Sequence, residues 1–367
     1  MNKISDEHPR QVSKRWTQRS NRAETRRRQR ALLLACAGAA AVVLSPWPMP
    51  SQRENVPRES IEAEPKKIES LDGLLTQTVS EIESNDVALL NLICAQGLPG
   101  NEGLNIHECL AVLESWASRV RTETERHWHR FHKAPAEFQN SSEIFRILML
   151  GTVLQEDCHV GYNPKRMTAV GEFEPNDVFF ADSRDVFVHG LLSGKRQGTC
   201  SSLPILYLAI GRQLGYPLKL VTAKAHLFLR WEDRNARFNI ECTGRGVGIY
   251  DDDHYRQWPI PMSAEEEVEG GYLKSLSGAE TLAMFLNLRG QCLLTAGRKE
   301  EALYSHAEAV RLAPRSKSCK LVFEVAKNQI LERTSPATLL IPQSAPFAIR
   351  APTLAIEPNP LNQIRTP

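Results

Sequence analysis

Paired cysteines are missing from this chain. Its eight cysteines stand at 36, 94, 109, 158, 200, 242, 292 and 319, with no CxxC among them. A structural zinc site normally needs ligands at short paired spacing, and a small disulfide framework needs a denser set. Both are set aside, and most of these thiols are predicted to be buried. Charge of one sign is also lacking, since 45 Lys and Arg against 43 Asp and Glu leave a net charge of +2. No global field points to nucleic acid. Nor is there an apolar run of the ~20 residues that cross a bilayer with ease. The best candidate, Ala31 to Leu44, has an uncharged core of fourteen. What remains is an ordinary globular composition, 42% apolar over 367 residues, with room for one or two domains.

The basic residues that do cluster lie in 1–30, where Arg15, Arg19, Arg22, Arg26, Arg27, Arg28 and Arg30 precede that short apolar run. Positive charge before an apolar segment is the pattern of a signal or anchor, so residues 31–49 are predicted to tether the chain to a membrane with the rest exported. A cleaved signal and a cytoplasmic protein with an apolar leader are the alternatives. Residues 50–68 are polar and proline-containing, as in a linker. Helical spacing follows: one amphipathic helix through Leu71, Leu74, Leu75, Val79 and Ile82, and a second capped by Asn85 or Asp86. A long one opens at Asn105 or His107, another at Ser141 or Ser142, and a short one at Asp182 or Ser183. Residues 334–367 hold seven prolines and are predicted to be disordered.

The stretch Gly194 to Thr243 carries the chemistry. A glycine-containing loop delivers Cys200 to the start of an apolar helix marked by Leu203, Leu206, Tyr207, Ile210 and Leu214, with Pro204 in its first turn and Gly215 with Pro217 as its stop. Unsatisfied N–H groups and the helix dipole favour an anion there, so Cys200 is placed to be a nucleophilic thiolate. Alternation then predicts strands at Leu218 to Thr222, Ala225 to Trp231 and Arg237 to Glu241. A hairpin about Glu232 to Asn235 sets His226 directly across from Glu241, where a carboxylate orients an imidazole base. A one-residue slip turns Glu241 to the other face.

A small-residue loop ending in Cys200, then LGYPLKLV, then His226 on a strand and FNIECT with Glu241, resembles the transglutaminase-like superfamily, a variant of the papain-like Cys-His-Asp design. The resemblance spans roughly residues 70 to 270. It is closest to bacterial members with a helical N-terminal portion and a downstream tetratricopeptide-like segment. It implies an α+β fold, a helical bundle on a small antiparallel sheet at 69–275, with Cys200 as nucleophile, His226 as base and acid, and Glu241 in the place usually held by Asp. Cys242 follows where Pro is common. The Cys200 N–H and the Gln197 side chain are the candidate oxyanion donors, Gln197 otherwise being a plain loop residue. A Tyr-Asn-Pro element, here Tyr162-Asn163-Pro164, precedes the nucleophile in related chains, and the loop Cys158 to Ala181 is predicted to lie over the entrance. Gly290, Ala302, Ala309 and Pro314 fall at the small-residue and proline positions of a 34-residue tetratricopeptide unit, giving helices at 280–333 that dock on the domain or on a protein partner.

The implied activity is attack on a peptide or amide carbonyl through a thioester, hydrolysis being favoured over amine transfer, with a peptide or protein substrate and no cofactor or metal. The competing expectation is a non-catalytic interaction protein. A metal bound by Cys200, His226 and Cys242, and a bridge between Cys200 and Cys242, are weaker alternatives. Outside this stretch, His127, His129 and His132 are at spacings that do not share one helical face. Asp251, Asp252 and Asp253 suit a solvated turn better than a cation site, and Asp185 and His189 are four apart on one predicted helix, where they could pair.

Overall fold

The computed structural model describes residues 68–166, 179–194 and 196–332, all within one compact unit, Lys66–Pro367. The segments 1–30, 31–49 and 334–367, and nearly all of 50–68, lie outside the described residues, as does much of the expected entrance loop. Among the described residues no helix is long and apolar enough to cross a membrane.

The first apolar spacing belongs to two helices rather than one. α1 (Leu71–Leu75) ends and α2 (Val79–Ser84) begins anew because Thr78 and Glu81 cap each other, Thr78 N–H donating to Glu81 Oε2 at 2.7 Å and Glu81 N–H to Thr78 Oγ1 at 3.3 Å. The later starts fall at predicted caps: Asp86 for α3 (Val87–Ala95), Asn105 for α4 (Ile106–Lys133), Ser141 for α5 (Ser142–Thr152). α5 runs on into one π turn, Val153–Asp157.

Next come β1 (Gly161–Tyr162), α6 (Ser183–Val186), α7 (His189–Leu192) and β2 (Gln197–Gly198). β1 and β2 pair in parallel, and Asn163 N–H donates to Gly198 O at 2.7 Å, so the Tyr-Asn-Pro element is fastened directly to the loop that leads to Cys200. Two residues have no readable period, so neither strand was predictable. The expected helix holding both Asp185 and His189 is also corrected: Phe187 is extended (φ −110°, ψ 158°) and separates α6 from α7, so the two side chains never share a helical face. Asp185 instead accepts from Arg166 Nε and Asn163 Nδ2, each at 2.8 Å, and His189 Nε2 meets Ser183 Oγ at 3.3 Å.

α8 (Leu203–Gln213) leads into the antiparallel sheet β3 (Leu218–Ala223), β4 (His226–Glu232), β5 (Arg237–Glu241) and β6 (Gly248–Tyr250), in that order. The domain is thus a mixed α+β structure on a small antiparallel sheet. Leu220, Leu227, Leu229, Trp231 and Ile240 belong to the main core with α8, whereas Val221, Ala223, Phe228, Tyr255, Met262, Tyr272 and Leu273 form a second core. Coverage of both faces explains why six successive residues of β4 are buried. Arg230, 1% exposed, is tolerated there because it donates to Asn239 Oδ1 (2.7 Å), Leu273 O (2.9 Å) and Asp252 Oδ1 (2.6 Å).

The register differs from the prediction by two residues. Leu229 pairs with Ile240 and Glu232 with Arg237. The cause is Asp233, whose Oδ1 accepts from Asn235 N–H (2.7 Å) and Ala236 N–H (2.8 Å), so the turn is Asp233–Ala236 and not Glu232 to Asn235. A shift of two keeps every side chain on its face but moves Glu241 from directly opposite His226 to a diagonal place.

After β6 come α9 (Asp252–Gln257), α10 (Ala264–Gly270), α11 (Gly278–Thr295), α12 (Lys299–Leu312) and α13 (Lys317–Glu332). The segment between α10 and α11 covers the free edge of β3, Leu276 N–H and Leu273 N–H donating to Leu220 O and Thr222 O at 2.9 Å. α11 and α12 lie along one another and close back on the N-terminal helices. Arg289 donates to Cys94 O (2.9 Å) and Gln96 O (2.6 Å) at the end of α3, and Arg311 to Leu75 O (2.9 Å). Between them His306 is fully buried against Gly290, where any side chain would collide with the imidazole, and its Nδ1 meets Asn287 Oδ1 at 2.9 Å.

Burial holds both His306 and His189 neutral, lowering each pKa to about 4. Their unfolded value is ~6.5, so below it the unfolded chain binds protons that the folded chain refuses, and stability falls as pH drops from ~6.5 to ~4, by at most about 3 kcal/mol per histidine. The urea midpoint of the wild type should therefore fall across this window more steeply than that of His306→Gln. Parallel curves for the two proteins would contradict the burial assigned to His306.

Candidate active site

Cys200 lies in the turn just before α8, and the carbonyl of Thr199 already accepts a helical hydrogen bond from Leu203 N–H at 2.9 Å. The helix start is thus where the sequence put it, with Pro204 in its first turn. The turn is held by its own hydroxyls. Thr199 Oγ1 donates to Asp185 O at 2.6 Å and accepts from Ser201 N–H at 3.2 Å, while Ser202 Oγ donates to the same Asp185 carbonyl at 3.1 Å and accepts from Thr199 N–H at 3.0 Å. The turn that carries Cys200 is therefore tied to α6 and to the head of α8, and Cys200 has no exposed surface.

Chain reversals bring the other two residues to the same end. The eleven residues of α8 cover ~16 Å and the six of β3 ~20 Å, so β3 returns beside the helix to the level at which it began. Lys224 and Ala225 turn the chain, Ala225 with a φ of 61°, and β4 starts at His226. β5 then comes back and ends at Glu241.

His226 Nε2 and Glu241 Oε2 are 2.8 Å apart, and both side chains are buried to within 1%. An ionised carboxylate only accepts, so Nε2 carries the proton and Nδ1 is the lone-pair nitrogen of the neutral ring. Nδ1 is buried and makes no hydrogen bond. Burial raises the Glu241 pKa, but the His226 ring and the hydrogen bonds from His226 and Thr243 outweigh it and hold the carboxyl below its ordinary range. Both hydrogen-bonding groups of Thr243 reach Oε1, the N–H at 2.9 Å and the hydroxyl at 2.5 Å, and Tyr255 OH stands 3.4 Å from Oε2. Trp258 packs its edge on the His226 ring, with centroids 4.7 Å apart.

Cys242, next to Glu241, is buried, and both burial and the nearby Glu241 charge push its thiol well above the usual range. No disulfide joins the seven described cysteines, so Cys200 and Cys242 are not bridged. Among the described residues no group of three His, Cys, Asp or Glu side chains could hold a metal ion, and this includes Cys200, His226 and Cys242. The three aspartates are engaged elsewhere: Asp251 caps α9, Asp252 binds Arg230 and Arg237, and Asp253 binds Arg256. Gln197, on β2, lines a cavity of about 580 Å³ with Asn163, Lys165, Arg166 and Asp185; Cys200, His226 and Glu241 are not in that lining.

From the sequence, Thr243 and Tyr255 fall in a polar, aromatic loop expected to border the cleft but carry no assigned role, and Gln155 was missed. Gln155, on the π turn, donates to Gly244 O (3.3 Å) and Gly246 O (3.2 Å) and accepts from Gly246 N–H (2.6 Å), thereby holding the loop that carries Thr243. Thr243 had one local signal, a hydroxyl two residues past the carboxylate. Gln155 had none, since 91 residues separate it from Gly246.

A mixed α+β domain with a cysteine at a helix head and a buried imidazole–carboxylate pair on its sheet is the class this geometry defines. Residues 107–287 match the family model of the transglutaminase-like superfamily, and this part of the chain is a transglutaminase-like domain. Among curated proteins, F-box only protein 21 of Mus musculus is 32% identical over 91 residues, covering 25% of this chain and 13% of that protein. The Homo sapiens protein of the same name is 33% identical over 91 residues, with the same two shares of 25% and 13%. The match therefore spans only a small part of those relatives. A crystal structure of menin, revealing its binding site for Mixed Lineage Leukemia (MLL) protein, aligns over 73% of this chain and 68% of its own at 12% identity, with a TM-score of 0.27 that carries no argument.

Thr199→Val keeps the shape of the Cys200 turn but removes the hydroxyl that joins Asp185 O to Ser201 N–H. Leaving a buried donor unpaired costs about 1–3 kcal/mol. Urea unfolding should show a loss of that order together with faster amide exchange at Ser201, and an unchanged midpoint and exchange rate would refute the assigned role of the hydroxyl.

Proposed function

We propose that the domain is a thiol enzyme acting on peptide or amide bonds. The single observation that supports it most is the buried 2.8 Å bond between His226 Nε2 and Glu241 Oε2, with Nδ1 left unbonded at the start of β4. In this reading His226 Nδ1 takes the Cys200 proton and Sγ adds to the carbonyl carbon. The tetrahedral intermediate collapses as His226 returns the proton to the departing amine, leaving a thioester on Cys200. Water then adds to the thioester with His226 again as base, releasing a carboxylic acid and restoring the thiol. Glu241 orients the ring and stabilises its charged form without taking the proton. Cys200 N–H, at the helix head, is the natural oxyanion donor and Gln197 a second candidate. Hydrolysis is favoured over transfer to an amine.

Around this core we further propose that α11 and α12 form a tetratricopeptide-like pair presenting a surface to a protein partner, and that residues 31–49 tether the chain to a membrane. A second reading, a non-catalytic interaction module, is favoured by one observation: Cys200 has no exposed surface in the resting fold.

Alkylation of Cys200 against pH separates the two. The enzyme reading expects an apparent pKa well below the ~8.5 of a free thiol, raised towards it in His226→Ala. Alkylation no faster than in the urea-unfolded chain, with no response to His226→Ala, would sink the enzyme and leave the module.

A further inference from the structure

We propose that Thr243 is the positioning residue that makes a glutamate serve as the partner of this imidazole. It anchors Oε1 of Glu241 so that Oε2 is presented to His226 Nε2. The consequence for Cys200 rests on the thiol-enzyme reading; the clamp itself does not.

The need for a clamp follows from the register. Continuing the observed pairing of β4 with β5 sets Glu241 opposite Phe228, one step diagonal from His226. Diagonal neighbours are ~7–8 Å apart along the backbone, within reach of a long side chain but a strain for a short one. Glutamate has the length and also one more rotor than aspartate, so unclamped it would spread over several rotamers. Thr243 removes that freedom by placing two donors on one oxygen, its N–H at 2.9 Å and its hydroxyl at 2.5 Å. The other oxygen is left for Nε2 at 2.8 Å, and the Tyr255 hydroxyl at 3.4 Å is too long to hold it alone.

The clamp is itself supported. Thr243 begins the loop that runs to Gly246, and Gln155 holds that loop through three hydrogen bonds from the π turn. Gly151, one turn earlier on α5, lies so close to Val247 that a side chain there would overlap it, so helix and loop cannot slide apart without cost. Other groups near Glu241 are engaged elsewhere: Phe228 stacks on Tyr255 at 3.7 Å, Cys242 belongs to the main core, and His254 stacks on Tyr250. Among the described residues, Thr243 alone places two donors on one Glu241 oxygen.

The test uses the full chain and two readouts: ¹⁵N NMR of the His226 ring, and the rate of Cys200 alkylation by iodoacetamide across pH. Thr243→Val keeps the N–H and the shape but loses the hydroxyl. It should mix the ring tautomers and slow alkylation near neutral pH by roughly tenfold, the loss of one hydrogen bond to a charged group. Thr243→Ser should restore both, and Glu241→Asp, too short to reach both partners, should behave like Thr243→Val. If Thr243→Val fails to fold, the last two variants carry the test. Wild-type ring signals and rates in Thr243→Val and Glu241→Asp, alongside altered ones in Glu241→Gln, overturn the clamp and leave the enzyme reading standing. Altered ring signals in Thr243→Val with alkylation indifferent to every variant would uphold the clamp and remove the enzyme.

Discussion

The buried bond between His226 and Glu241 is the constraint around which this domain is arranged. A carboxylate at 1% exposure is costly unless it is fully partnered, and here its two oxygens are divided between an imidazole and a threonine. Each partner needs its own support. His226 begins β4, whose two faces are both covered; Thr243 sits on a loop held by Gln155; and Gln155 comes from a π turn that re-aims the end of α5. The sheet, the long-range clamp and the helical irregularity all converge on one buried hydrogen bond. Cys200 reaches the same end by a separate route, through hydroxyls tied to the Asp185 carbonyl.

Local chemistry was legible in the amino-acid order. Asp86, Asn105, Ser141 and Asp182 were named among the caps, and each accepts the N–H hydrogen bonds of the helix it precedes. The face of each strand was legible too, because side-chain period fixes parity. The pairing was not, since Glu232 and Asp233 are both polar and only the shorter side chain can fold back onto Asn235 and Ala236. That choice moved Glu241 by one diagonal. His226 and Glu241 stayed on one face because an even shift preserves it, and the length of glutamate, which looked like a departure from the usual aspartate, suits the register that resulted. The restart at Thr78 and the break at Phe187 show the opposite failure, in which apolar spacing ran smoothly through a cap or an extended residue.

The C-terminal helices change how the chain is divided. An expected boundary between 275 and 280 marks a change in sequence pattern, yet arginines of α11 and α12 supply the missing donors at the ends of α3 and α1. Helix ends left unsatisfied cost free energy, so the first and last described elements complete one another. Removal of the helices from 278 onwards would expose the Cys94 and Gln96 carbonyls along with the apolar faces of α2 and α3.

The proposed chemistry turns on a proton passing from Cys200 to His226. The most direct measurement is the ultraviolet thiolate absorbance of the folded chain, taken as the difference from Cys200→Ser and followed with pH. A cysteine coupled to the His226–Glu241 pair gives a thiolate signal already present near pH ~6 and diminished in His226→Ala, well below the ~8.5 of an ordinary thiol. A signal that rises only above that value, and equally in both proteins, would contradict the coupling.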